Sequence, residues 1–159
     1  MSQEIERKFL VRDGFKAEAF KSVRIIQGYL SSVPERIVRV RVKDGRGYVT
    51  VKGLSDPSGV SRAEWEWEIP AGDALAMLAI AEPGVIDKTR HLVACTDGRH
   101  VWEVDEFHGD NEGLVVAEIE LGSEDEAFDR PDWLGDEVTG RPEYYNSSLA
   151  VRPYKDWRA

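Results

Sequence analysis

From residue 24 onward, apolar and charged side chains exchange places residue by residue, in one segment after another. In "RIVRVRVKD", Val38, Val40 and Val42 fall on one side and Arg39, Arg41 and Lys43 on the other. A period of two belongs to a β-strand and cannot be met by a helix, whose faces repeat every 3.6 residues. The same alternation, with Val, Ile, Trp, Tyr and Thr throughout, runs through "RIIQGYLSS", "GYVTVKGL", "RAEWEWEIP", "VIDKTRHLVAC", "RHVWEVDEF" and "GLVVAEIELG". These seven segments are separated by short turn-rich connections. Asp44-Gly45 and Asp97-Gly98 carry the hairpin signature, and Pro34-Glu35 and "HGDNEG" read as further strand connections.

The first segment, "EIERKFLV" from Glu4 to Val11, is ambiguous. Its Glu, Arg, Lys and Leu favour a helix, in which Glu4 and Lys8 would pair four residues apart. As a strand, it sets Glu4, Glu6 and Lys8 on one face and Ile5, Phe9 and Val11 on the other. Seven strands in a meander leave two open edges, whereas eight can close into a barrel and lose them. Closure therefore favours strand. Helices are expected at "DGFKAEAFKS", at "AGDALAMLAIAEPG" before Pro83-Gly84, at "SEDEAF" behind a Ser123/Glu126 capping box, and near Tyr144 at the end. With no repeat or linker, residues 1–159 read as one domain, its last helix starting at about 143.

Charge is not scattered over these strands. Glu4/Glu6, Arg39/Arg41, Glu64/Glu66, Lys88/Arg90, Glu103/Asp105 and Glu118/Glu120 are like-charged doublets on single strand faces. Residues two apart lie ~6.6 Å from each other, so at an effective dielectric of ~20 each doublet costs roughly 2.5 kcal/mol before compensation. Water on an open face, opposite charges on neighbouring strands, or ligands must offset that cost. In a closed sheet, Trp65, Trp67 and Trp102 would lie outside beneath the helices and the charges in the lumen. Separate basic and acidic clusters there suit a polyanion and a divalent cation, since Arg and Lys match phosphate oxygens and carboxylates are hard ligands. On these residues alone, a solvated charged face is an equal alternative.

The chain carries 30 Asp and Glu against 21 Lys and Arg, a net charge of −9. That balance argues against nucleic-acid or membrane-surface partners. Cys95 is the only cysteine, so no internal disulfide or thiolate cluster can form, and it reads as core. His91, His100 and His108 fit no spaced ligand set. With no signal peptide or membrane-length apolar run in sight, a cytoplasmic protein is expected.

The ordered series "EIERKFLV", "QGYLS", "RVRV", "TVKG", "EWEWEI", "DKTRH", "WEVDEF", "AEIEL", "LGDEVTG" and "YYNSSLA" resembles the CYTH superfamily, also called triphosphate tunnel metalloenzymes, over nearly the whole chain. The resemblance implies a mainly β fold with flanking helices: a closed eight-stranded antiparallel barrel with a charged lumen. It implies metal-dependent hydrolysis of inorganic triphosphate, or a related short triphosphate, to phosphate and a diphosphate, with Mg²⁺ or Mn²⁺ as cofactor. Metal ligands would fall on Glu4, Glu6, Glu118 and Glu120 with Asp105 as helper. Substrate cations would fall on Lys8, Arg39, Arg41, Lys52, Lys88 and Arg90. Lys8, Lys88, Arg90 and Tyr29 would be catalytic, Tyr29 by positioning Lys8, and Glu64, Glu66 and Glu103 would be supporting acidic positions. Relatives carry a basic residue before the Tyr of the last helix; here Glu143 stands in that region and Arg141 is the candidate substitute. Adenylyl cyclase, thiamine triphosphatase and a non-catalytic polyphosphate-binding module are the alternative functions, and a homodimer is among the allowed assemblies.

Overall fold

The opening segment is a strand. In the computed structural model, which describes residues 2–157, β1 (Ser2–Val11) lies between two antiparallel neighbours. Its first half, Ser2–Ile5, pairs with β5 (Ser61–Ile69), and Glu6–Leu10 pairs with β8 (Val115–Glu120). Between these run β2 (Ala19–Ser31), β3 (Arg36–Lys43), β4 (Arg46–Gly53), β6 (Ile86–Ala94) and β7 (Val101–Phe107). The hydrogen-bonded order β5-β4-β3-β2-β6-β7-β8-β1, with β1 rejoining β5, closes an eight-stranded antiparallel barrel. Pairing across both edges of β1 overrides its helical propensity.

A ninth strand, β9 (Leu134–Glu137), continues along the edge of β1 beyond β5, with Phe9 opposite Glu137 and Val11 opposite Leu134. Its four residues show no alternation, and no expectation from the sequence covered it.

Alternation assigns the two faces as the sequence suggests, but the outer cover differs. Phe9, Val93, Trp102, Val104, Ala117 and Ile119 form an outer core with Phe15, Trp133 and Leu134. Phe9 and Trp102 meet edge to face at 5.7 Å, and Trp102 meets Phe128 at 5.7 Å and Trp133 at 5.6 Å. What covers Trp102 is therefore the irregular segment 122–133, not a helix. The expected "SEDEAF" helix does not form. Glu126 N–H closes a turn on the Ser123 carbonyl, and the Glu126 carboxylate serves Gly122 N–H and His100 instead of capping Ser123. Trp65 and Trp67 do lie on the outer face but no helix shields them; Trp67 is 55% exposed.

The segment "DGFKAEAFKS" yields only a 3-10 turn, Phe15–Glu18, before β2 begins at Ala19. The helix α1 (Ala71–Ala79) forms as expected and lies on β3 and β4. Gly47 permits that approach, because a Cβ there would stand 2.8 Å from Ala74 Cβ. Asp44 and Gly45 both take positive φ, 53° and 73°, as a two-residue hairpin turn requires. Asp97-Gly98 sits in a longer connection, where the Asp97 carboxylate accepts Arg99 and His100 N–H at 2.8 and 3.1 Å.

The last helix, α2 (Asn146–Val151), follows a 3-10 turn at Pro142–Tyr144. Its Leu149 is buried with Ile86, Phe107, Leu114 and Val116, and so plugs one end of the barrel with apolar side chains. No helix among the described residues is long and apolar enough to cross a membrane.

Candidate active site

Register decides which charges meet. Directly opposed residues of antiparallel strands share a face, so Arg39 opposite Tyr29, Arg41 opposite Gln27 and Lys88 opposite Ile25 all point the same way. Glu6 opposite Glu120 and Lys8 opposite Glu118 do so across β1 and β8. Tyr29, Arg39, Arg41, Lys88, Glu6, Glu120, Lys8 and Glu118 line a cavity of about 260 Å³ inside the barrel, with Glu4, Lys43, Lys52, Arg62, Glu64, Glu66, Arg90 and Glu103. Strand order gives the cavity a polarity. The strands β8, β1 and β5 carry Glu118, Glu120, Glu4, Glu6 and Glu64. Across the ring, β3 and β6 flank β2 and carry Arg39, Arg41, Lys43, Lys88 and Arg90.

The like-charged doublets are compensated in two ways. Cross-strand pairs are the first. Lys52 Nζ reaches both oxygens of Glu4 at 2.9 and 3.0 Å and Glu64 at 3.6 Å. Glu66 accepts a hydrogen bond from Thr50 at 2.7 Å and faces Arg39 and Arg41 at 3.5 and 3.6 Å. Arg90 donates to Glu103 at 3.1 Å. Protonation is the second. Burial, then the charges of Glu118 and Glu4, raise Glu6 well above the ordinary carboxylate range. Burial also opposes ionisation of Glu118, but Lys8, a hydrogen bond from Glu6, and Arg90 and Lys88 outweigh it and hold Glu118 well below that range. Within this pair the proton is favoured on Glu6 and the charge on Glu118. Burial, the hydrogen bond to Glu4 and repulsion from Glu4 push Glu64 to about 7. Burial with Glu4 and Glu103 raises Glu120 too.

Those shifts predict how the metal-free protein responds to pH. Glu64 is more basic folded than unfolded, so its contribution is full below the unfolded value and is lost as pH rises through about 7. Glu6 and Glu120 act in the same direction. The melting temperature in chelator should therefore fall between about pH 5 and about pH 8, and Glu64→Gln should flatten part of that fall. Parallel curves for the two proteins would contradict this account.

On the opposite wall, burial and then Arg39 and Arg90 lower Arg41 to about 10, still charged at neutral pH. Burial lowers Lys88 to about 8, against the attraction of Asp105. The Nε atoms of Arg39 and Arg41 are buried without a hydrogen-bond partner. Lys43 and Arg62 make no ion pair among the described residues. Unsatisfied buried donors of this kind call for an anion.

Asp105 stands apart from the other expected metal residues. It is 2% exposed and does not line the cavity. Its oxygens take Arg90 Nε at 2.8 Å, Arg90 Nη2 at 3.0 Å and Lys88 Nζ at 2.8 Å, so it sits behind the basic wall. Tyr29 lines the cavity but accepts its hydrogen bond from Gln27 at 3.2 Å. Lys8 is set instead by the Tyr144 carbonyl at 3.3 Å, Glu118 at 3.5 Å and the Tyr145 ring at 5.1 Å.

Several lining residues were not anticipated from the sequence as site residues. Lys43 and Arg62 share strand faces with Arg41 and Glu64, so the signal for them was present in the alternation. Tyr145, Asn146 and Ser147 reach the lumen because α2 plugs the barrel, with Asn146 accepting from Lys88 at 2.8 Å and Gln27 at 3.0 Å. Arg141 is exposed and does not line the cavity. Arg62, 5.4 Å from the Tyr145 ring, joins Lys8 and Lys88 as a cation beside the last helix.

A closed barrel with opposed acidic and basic inner walls joins the comparisons with known proteins here. Residues 2–154 match the CYTH domain. This chain belongs to the CYTH family. An inorganic triphosphatase of Acetivibrio thermocellus is 49% identical over 160 residues, covering 99% of each chain. Another from Nitrosomonas europaea is 35% identical over 151 residues, covering 93% of this chain and 97% of that one. The crystal structure of an inorganic triphosphatase superposes with a TM-score of 0.68 at 33% identity, covering 93% of this chain and 97% of the other. The CYTH match spans all eight barrel strands.

Proposed function

We propose that this protein hydrolyses inorganic triphosphate to phosphate and diphosphate with the help of a divalent cation, Mg²⁺ or Mn²⁺. The opposed walls of the closed tunnel carry this reading: one wall is short of anions and the other short of cations. The two curated relatives, each named an inorganic triphosphatase and matched over nearly their full length, support it.

The donor set fits a hard divalent ion. Glu6, Glu118 and Glu120, with Glu4 and Glu64 beside them, present oxygen ligands, and part of the set stays protonated for want of positive charge. Bound there, the cation would neutralise phosphate oxygens and lower the pKa of a coordinated water. The remaining work falls to the protein's own groups. Arg39, Arg41, Lys43 and Arg90 offer a row of donors to an extended chain of phosphates, Arg in bidentate fashion. Lys88, steadied by Asp105 and Asn146, and Lys8, steadied by Glu118 and Tyr145, place charge where the transferred phosphoryl group becomes more anionic. Phosphoryl transfer depends mainly on such positioning and electrostatics. Because Lys8, Lys88 and Arg90 are held by partners before substrate arrives, little reorganisation of these three is needed.

Phosphate release should be measured from inorganic triphosphate, ATP and thiamine triphosphate, with Mg²⁺ or Mn²⁺ and with chelator. Inorganic triphosphate should be cleaved fastest, and chelator should abolish release without changing the circular dichroism, since the apolar layers outside and at the plugged end hold the barrel. Tight triphosphate binding without release under either metal would favour a binding module instead.

A further inference from the structure

Outside the tunnel, the connection between β6 and β7 gathers three different metal-ligating side chains. A ligand atom each of Cys95, Asp97 and His100 lies within 4.8 Å of the other two. Cys95 is 6% exposed, and the side chains of His100 and Asp97 are 6% and 8% exposed. Asp97 divides its work. One oxygen accepts the Arg99 and His100 N–H groups that shape the loop, and the other faces His100 Nδ1 at 2.6 Å. The second ring nitrogen of His100 faces the carboxylate of Glu126, which is fixed in turn by Gly122 N–H at 3.2 Å. A carboxylate behind an imidazole in this way orients the ring and raises its basicity as a ligand. The Cys95 thiol makes a long contact, 3.5 Å, to the Asp129 carbonyl and also lies beside the Asp97 carboxylate.

We propose that Cys95, Asp97 and His100 form a binding site for a divalent transition-metal ion of the Zn²⁺ class, with Glu126 holding His100 from behind. Sulfur, imidazole nitrogen and carboxylate oxygen are the donors such ions take, and three of them leave one tetrahedral position for water. To ligate the ion, the Cys95 sulfur and His100 Nδ1 must give up any proton they carry to solvent, while the other ring nitrogen keeps its contact with Glu126. The ion would fix the β6–β7 connection where His100 already meets Glu126 of segment 122–133, the cover of the Phe9–Trp102–Trp133 cluster. Its role is structural and independent of the tunnel chemistry.

Cys95 is the chain's only cysteine, so a thiolate-to-metal charge-transfer band reports this site even while tunnel carboxylates also take up metal. The protein should be stripped with chelator and titrated with Co²⁺. The expected result is a charge-transfer band that saturates at one equivalent, is displaced by Zn²⁺ and is absent from Cys95→Ser. Asp97→Asn and His100→Gln should each weaken Co²⁺ binding at this band by at least ~10-fold. Zn²⁺ should raise the melting temperature of the natural protein more than that of Cys95→Ser, whose triphosphate hydrolysis is unchanged. The proposal is overturned if the natural protein shows no such band in excess Co²⁺. It is equally overturned if the band survives undiminished in both Asp97→Asn and His100→Gln, for then a single thiolate binds alone.

Discussion

Replacing Glu6 with glutamine is expected to leave the metal-free fold intact and its melting temperature at neutral pH unchanged or higher, while cutting triphosphate hydrolysis ~100-fold or more. The two halves of that result have one cause. Without a bound cation the protonated form of Glu6 is favoured, because burial and the neighbouring charges of Glu118 and Glu4 disfavour its ionised form. The amide copies that neutral state in nearly the same volume, so the packing and the contact to Glu118 survive. As pH rises above the ordinary carboxylate range the variant should become progressively more stable than the natural protein, since only the natural protein must then take up a proton or carry a buried charge on folding. The proposed catalysis asks for the opposite state: a carboxylate at residue 6, able to ligate a cation. Losing groups that merely orient a ligand costs 10–100-fold in metal affinity or activity, so a direct ligand should cost at least the upper end. Raising Mg²⁺ or Mn²⁺ should recover part of the loss. Full activity with an unaltered metal requirement would remove Glu6 from the cation site.

The same segment shows what the sequence could and could not reveal. Alternation placed Glu4, Glu6 and Lys8 on one face whatever the fold, and the edge problem of a seven-strand meander argued for an eighth. Arg39, Arg41, Lys88 and Arg90 were legible for the same reason, because a period of two fixes the face and closure fixes its direction. Tertiary information was not. Whether a neighbour covers a face is invisible in a strand's own pattern, so Trp102 and Trp67 looked alike, yet one is buried under segment 122–133 and the other is exposed. The capping-box pattern at Ser123 and Glu126 failed because His100 and Gly122 recruit the Glu126 carboxylate across the surface. β9 is too short to carry a pattern, and exists because the free edge of β1 offers it partners. Tyr145, Asn146 and Ser147 depend on where the last helix docks. The Cys95–Asp97–His100 set went unseen because a lone cysteine and a mixed donor set match no metal-binding spacing. Asp105 illustrates the deepest limit. Its face was read correctly, but depth within the lumen wall separates a ligand from the support of the cations around it.

Depth makes Asp105→Asn the substitution expected to harm stability most. Its carboxylate is the buried counter-charge of both Lys88 and Arg90 and takes three donor contacts between 2.8 and 3.0 Å. Asparagine offers one acceptor oxygen and turns an NH₂ donor towards a cation, leaving at least one buried charge unpaired. Removing one partner from a buried ion pair costs about 3–5 kcal/mol. For a chain of this size each kcal/mol lowers the melting temperature by ~2–4 °C, so a drop of roughly 10 °C is expected. Lys88 has a second escape, since burial already lowers it to about 8; without Asp105 it should lose its proton at neutral pH. The basic wall would then lose one charge outright and the fixed orientation of Arg90, raising KM for triphosphate. The concentration of Mg²⁺ or Mn²⁺ giving half-maximal rate should change little, because both Asp105 oxygens already serve cations of the protein and neither lines the cavity. Melting curves, KM and metal titrations on this single variant therefore separate two roles. A shifted metal requirement with an unchanged melting temperature would make Asp105 a metal ligand after all, whereas lost stability and weakened triphosphate binding at constant metal requirement would make it the anchor of the basic wall.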